Sequence, residues 1–162
     1  MEAVETRKER IVEMVHLYSD SILRLAYAYV RSRSDAEDIA QEVWMTYMQK
    51  APAFTNEEKR KSWLMRVTAN RSKDFLRSAW HKRTQPLADD LSYMPEEDAA
   101  LIGYVMAMDE KYRVPLHLYY YEGYSLAEIA KLLGSNSATV ATWLHRGRAL
   151  LKSKIGVDLD EE

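Results

Sequence analysis

Apolar residues return every three or four positions along almost the whole of this chain, and only four prolines and five glycines interrupt its 162 residues. That spacing is the period of a helix stripe, whereas a half-buried strand alternates every second residue. The chain is therefore expected to be all-α. Between Arg7 and Val30 the stripe is Ile11, Val15, Tyr18, Ile22, Leu25 and Tyr29, which describes one long amphipathic helix. Ser34-Asp35-Ala36-Glu37 fits a capping box, and Ile39, Val43 and Tyr47 continue an apolar face to about Lys50. Ala51-Pro52 stops that helix, and a third is expected from about Glu57 to about Trp80.

The stretch from His81 to Pro95 holds Pro86, Asp89, Asp90, Ser92 and Pro95 without a sustained apolar period, the composition of a linker. It divides the chain into two helical domains, residues 1–83 and 96–162, joined by 84–95. Helical signals resume from Glu96 to Met108, and Asp109 is placed to cap the helix that follows. Charge follows the same division. Residues 1–83 carry 16 basic and 12 acidic side chains, residues 84–110 carry 7 acids and no base, and Lys59 to Arg83 holds nine bases and one acid, Asp74. The net charge of −2 therefore does not argue against a polyanionic partner, because a partner feels the local potential.

The absence of cysteine excludes a disulfide framework, a Cys-ligated zinc site and a thiol nucleophile. No apolar run approaches the roughly 18 residues of a spanning helix, so a cytoplasmic protein without membrane insertion is expected. His16, His81 and His117 read as incidental. No histidine has a Ser or Asp partner at motif spacing and no Gly-rich phosphate loop exists, so no catalytic residue, metal or cofactor is expected.

The sharpest local signal is Ser125 to Leu151. Ser125 and Glu128 form a second capping box, Ile129, Ala130, Leu132 and Leu133 give a short apolar helix, and Gly134 supplies a turn. Asn136 or Ser137 can cap a further helix carrying Val140, Leu144, Gly147 and Leu151 inward and Arg146, Arg148, Lys152 and Lys154 at its end. Two short helices around a Gly turn, the second ending in bases, describe a helix-turn-helix, with a plain helical hairpin as the bland alternative. On the first reading Asn136, Ser137, Thr139, Ala141 and Thr142 approach base edges, while Arg146, Arg148 and His145 meet phosphates.

Two further signals lie in the first domain. With Ile39 and Val43 facing inward, Asp38, Gln41, Glu42 and Met45 share another helix face; this is either a solvated surface or a docking face. Phe54, the cluster Lys59-Arg60-Lys61, and Arg66, Asn70 and Arg71 around Trp63 and Val67 interleave cations with aromatics, as a single-stranded nucleic-acid site does. Trp63 aligns with Val67 and is expected in the core.

Taken in order, DAEDIAQEVW at 35–44, SWLMRVTANR at 62–71, YYEGYSLAEIAKLLG at 120–134 and TVATWLHRGR at 139–148 resemble bacterial sigma factors of the extracytoplasmic-function (ECF) group, over about residues 10–155. The resemblance implies a first domain that binds the clamp helices of core RNA polymerase and melts the minus-ten element, and a second that reads the minus-thirty-five element of promoter DNA. It places Asp38, Gln41 and Glu42 on the polymerase-binding helix, and Phe54 and Asn70 at a pocket for a flipped base. It also implies an anti-sigma factor as a partner. The chain departs from the family where a Lys-Ser-Arg run commonly follows Thr-Val, because Ala141-Thr142-Trp143 stands there; Trp143 is expected to pack inward. A stand-alone helix-turn-helix regulator and a helical carboxylate enzyme are the alternatives from other classes.

Overall fold

The computed structural model describes residues 2–80 and 99–155, so the linker at 84–95 and the acidic tail lie outside the described residues. Every regular element among them is helical: α1 (Glu2–Val30), α2 (Arg33–Lys50), α3 (Glu57–Trp80), α4 (Ala99–Met106), α5 (Glu110–Tyr120), α6 (Leu126–Leu133) and α7 (Ser137–Ile155). The first three pack on one another, and α5 anchors the last four. Met14, Tyr18, Ile22 and Leu25 of α1 meet Ile39 and Val43 of α2 and Leu64 and Met65 of α3 in one buried core. In the second unit Leu116, Leu118, Ile129, Val140, Leu144 and Leu151 do the same.

Local chemistry explains where the helices begin and end. Ser125 accepts from the Glu128 amide at 3.1 Å while the Glu128 carboxylate accepts from the Ser125 amide at 2.9 Å, the expected reciprocal box. Gly134 ends α6 at φ +68°, a left-handed position that costs any residue with a Cβ about 1–2 kcal/mol. Asn56 Oδ1 accepts from the Lys59 amide at 2.8 Å and Asn136 Oδ1 from the Thr139 amide at 2.8 Å, fixing the starts of α3 and α7. The expectation for α2 needs correction. Its N-cap is Ser32, whose hydroxyl accepts from the Asp35 amide at 3.4 Å, and Ser34 is already helical. The cause is Arg31, which turns the chain at φ +56° and brings the extended cap two residues earlier than the capping-box pattern suggests.

The two units touch along a seam formed by α1 with α5 and α3 with α6. Leu25 to Val30 are all buried, none more than 1% exposed, because the end of α1 is covered on both sides. Arg113 of α5 reaches across to donate from Nε to the Ala28 carbonyl and from Nη2 to the Tyr29 carbonyl at 2.8 Å, while Nη1 donates to the Met108 carbonyl at 2.7 Å. A cation thereby occupies the carbonyl end of α1, where the helix leaves acceptors unbonded and partial negative charge accumulates. Arg31 returns the arrangement by donating to the Met106 carbonyl at the end of α4, at 2.9 Å.

A third link is Arg24 Nε donating to Glu122 Oε2 at 3.0 Å, with His117 Nε2 at 3.4 Å from the same oxygen and its ring stacked on Tyr121. His117 is thus a buried structural residue and not an incidental one. Burial alone would raise the Glu122 pKa, but the hydrogen bonds and charges of His117 and Arg24 outweigh it and hold the carboxyl at about 2.

Two outcomes test this packing. A Cβ on Gly147 would lie 3.0 Å from Leu116 Cδ1 and 3.4 Å from Tyr112 Cβ, so Gly147→Leu forces α5 and α7 apart and should cost about 1–3 kcal/mol in denaturant unfolding. The folded pKa of Glu122 lies below the roughly 4.3 of a free glutamate. Its contribution is therefore complete above about pH 5 and is lost as pH falls toward 2, on the order of 2–3 kcal/mol in all. The unfolding free energies of wild type and Glu122→Gln should differ most at pH 6, with the gap narrowing below pH 4 and closing only below about pH 2.

Candidate nucleic-acid interface

The face of α2 has the geometry its spacing predicts. Ile39 and Val43 are buried, whereas Asp38, Gln41, Glu42 and Met45 are all exposed. Glu42 lies 3.7 Å from Arg71 of α3, and Arg71 Nη2 donates to Thr46 Oγ1 at 2.8 Å. An exposed pair at that distance holds the two helices only weakly, so the acidic face is open to a protein partner.

Beside it the loop after α2 builds an aromatic-walled cavity. Trp44, Tyr47, Trp63 and Phe54 follow one another edge to face, with ring centres 5.5, 6.1 and 5.9 Å apart. The Arg60 guanidinium stands 5.2 Å above the Phe54 ring and pairs with Glu57. Tyr18 donates to Glu57 at 2.6 Å, which ties this corner to α1. Tyr47 and Phe54 of this series, together with Arg10, Ile11, Met48 and Arg60 among others, line an open cavity of about 340 Å³. Trp63 is partly buried against the core, as its stripe predicts.

Asn70 is exposed on α3 and is not among the residues lining that cavity. It follows Trp63 by seven residues, about 10 Å along the helix axis. Phe54 and Asn70 therefore present two separate points on one surface. Lys59 is exposed in the first turn of α3, whereas Lys61 and Arg66 turn toward the second unit. Sequence reasoning misses Arg10 and Ile11 as walls of the cavity. The spacing of Ile11 marks only a core stripe, and nothing local marks Arg10.

In the second unit α6 and α7 form the expected helix-turn-helix. Asn136, Ser137, Thr142, His145 and Arg146 are exposed, Thr139 and Ala141 are half-buried, and Arg148 donates to the Tyr120 hydroxyl at 3.3 Å. These residues share the outer side of α7, since Val140, Leu144, Gly147 and Leu151 take the inner one. Trp143 packs, partly buried, against the core.

With this geometry the relationships of the chain are specific. The pattern of Sigma-70 region 2 matches residues 14–82, and that of Sigma-70 region 4 matches residues 98–151. The ECF RNA polymerase sigma factor SigM of Mycobacterium tuberculosis is 30% identical over 82% of this chain and 70% of its own length. The chain belongs to the sigma-70 family, in its ECF group. The RNA polymerase sigma factor SigV of Bacillus subtilis is 29% identical over 96% of each chain. The sigma factor RpoE, solved in complex with the anti-sigma factor NepR from Bartonella quintana, shares the fold with a TM-score of 0.78 over 93% of this chain and 99% of its own, at 18% identity.

The protein is accordingly a sigma factor that directs promoter-specific transcription initiation with core RNA polymerase. Sigma factors are initiation factors, not catalysts. Among the described residues no helix is long and apolar enough to cross a membrane.

Proposed function

We propose a division of labour in which residues 1–83 engage core polymerase and melt the minus-ten element, residues 96–162 read the minus-thirty-five element, and 84–95 joins them. The observation that carries this reading is the placement of an exposed acidic face on α2 next to the aromatic-walled cavity around Phe54. Asp38, Gln41 and Glu42 meet basic side chains of core. Phe54 receives a base leaving the stack, Asn70 offers a donor and an acceptor to a neighbouring base edge, and Lys59, Arg60, Lys61, Arg66 and Arg71 follow the strand.

On α7, Asn136, Ser137, Thr139, Ala141 and Thr142 face base edges, while His145, Arg146 and Arg148 hold phosphates. The chain supplies recognition and makes no bonds of its own, and it acts in the cytoplasm, where polymerase and promoter are. An anti-sigma factor is its inhibitory partner; this reading draws on the RpoE relative, which was solved with one.

Removing one member of a buried interfacial ion pair costs about 2–5 kcal/mol, much of it from the partner charge left unpaired. Asp38→Arg and Glu42→Arg should therefore lower affinity for core by at least thirtyfold with unchanged helicity. Folded variants that bind core normally would remove α2 from the interface. Stacking of a base on an aromatic side chain contributes about 1–3 kcal/mol. Phe54→Ala and Asn70→Ala should slow and reduce open-complex formation on duplex promoters, read by permanganate reactivity of unpaired thymines, with core binding intact. A template already mismatched at the minus-ten element should rescue both, because the cost of opening is then absent. Wild-type opening by both variants would assign these residues to structure.

A further inference from the structure

We infer that Arg10, on α1, holds the backbone phosphate of the nucleotide whose base enters the cavity at Phe54, so that the first helix forms part of the minus-ten site. The inference rests on the proposed base-receiving role of that cavity and adds to it a residue and a contact.

The cavity lies where three helices meet. Arg10 and Ile11 come from α1, Tyr47 and Met48 from the end of α2, Phe54 from the loop and Arg60 from α3. Tyr47 and Phe54 offer aromatic faces to a base, and Ile11 and Met48 offer aliphatic cover. Met48 is 46% exposed, so this wall leaves apolar surface open to an incoming ring. Two guanidiniums share the lining, and among the described residues no carboxylate does. An apolar slot edged by cations suits a nucleotide, whose ring is flat and whose backbone is anionic.

The two cations are not equivalent. Arg60 is engaged within the protein: it pairs with Glu57, which also accepts from Tyr18 at 2.6 Å, and it stands 5.2 Å above the Phe54 ring. Its side chain is only 15% exposed. It therefore meets the strand with its charge largely neutralised. Arg10 is exposed, and among the described residues it carries no ion pair.

The position of Arg10 on α1 selects which part of the nucleotide it can reach. At about 100° per residue, Ile11 lies to one side of Arg10, and Glu9 and Glu13 lie to the other. The cavity is on the Ile11 side, and the two acids are exposed away from it. A side chain that is both exposed and part of the lining stands at the mouth. A base inserted ring first leaves its phosphate there, within reach of a long cationic side chain. Contacts of this kind position the strand without reading its sequence, so Arg10 adds hold whichever base enters.

The test uses holoenzyme assembled from the full-length chain and core, with a fluorescent oligonucleotide carrying the non-template strand of a promoter that this holoenzyme opens. Arg10→Gln should bind the oligonucleotide about tenfold more weakly, the loss of one charge-assisted bond, with core affinity and helicity unchanged. The slope of log affinity against log salt should become shallower by about 0.7. Arg10→Lys should keep the slope and most of the affinity, because a phosphate accepts either cation, whereas a bidentate base-edge contact needs the guanidinium fork. Replacing the strand's phosphates one at a time by neutral methylphosphonates should reveal one position that weakens wild type but not Arg10→Gln.

Wild-type affinity and slope in Arg10→Gln, beside weak binding by Phe54→Ala, would overturn the inference and leave the role of the cavity standing. Normal binding by both variants would overturn the two together. Arg10→Lys as weak as Arg10→Gln, or the absence of any such methylphosphonate position, would overturn the phosphate contact. Loss of core affinity in Arg10→Gln would place Arg10 in the polymerase interface instead.

Discussion

The carbonyl ends of two helices are each met by an arginine from the opposite unit, α1 by Arg113 and α4 by Arg31, and the arrangement of the chain follows from those contacts. α1 ends in a sequence that is apolar on every side, so its last carbonyls face a buried environment where water cannot serve them. Arg113 supplies donors to two of those carbonyls and one to Met108, and Arg31 serves the end of α4. Unsatisfied buried carbonyls cost about 1–3 kcal/mol each. The contact therefore resists piecemeal loosening, because moving Arg113 away exposes acceptors on both units together unless the whole seam opens and water enters.

A seam of this kind differs from a hydrophobic core in what it permits. Leu25 to Val30 give it apolar area, but its outer links are polar: Arg24 with Glu122, and Arg66 with the Lys131 carbonyl. Polar links are exchanged for water or phosphate at modest net cost, whereas apolar area must find another cover. An interface with a small apolar centre and a polar rim is typical of units that separate during function.

Much of this is legible in the sequence, and the division between legible and hidden has a physical cause. Helix periods, the Ser125 and Glu128 box, the turn at Gly134, the exposed side of α2 and the outer side of α7 depend on residues within a few positions of one another. The cap of α2 is displaced because a non-glycine residue, Arg31, takes the left-handed position, which no local pattern announces. The seam joins residues more than eighty positions apart, and periodicity carries no information at that range. Two signs are nonetheless present. Six consecutive apolar residues at Leu25 to Val30 exceed what one stripe needs, and Arg113 interrupts the inward face of a helix that is otherwise buried. The cavity at Phe54 is half legible: its aromatic wall can be read from the chain, whereas Arg10 and Ile11 reach it only through the fold.

The departure of α7 from its family's pattern acquires a reason from the same packing. A run of cations after Thr-Val would place charge where Trp143 now lines a cavity with Tyr29 and Pro115, and a buried cation there would need a partner or water. An aromatic residue at that position favours contact between the units, and the cations it replaces would have favoured contact with phosphate. Each phosphate that goes without a cation lowers the salt dependence of DNA binding by about one unit of slope. Trp143 therefore adds to the contact between the units, and the smaller number of cations on α7 weakens its general attraction for phosphate.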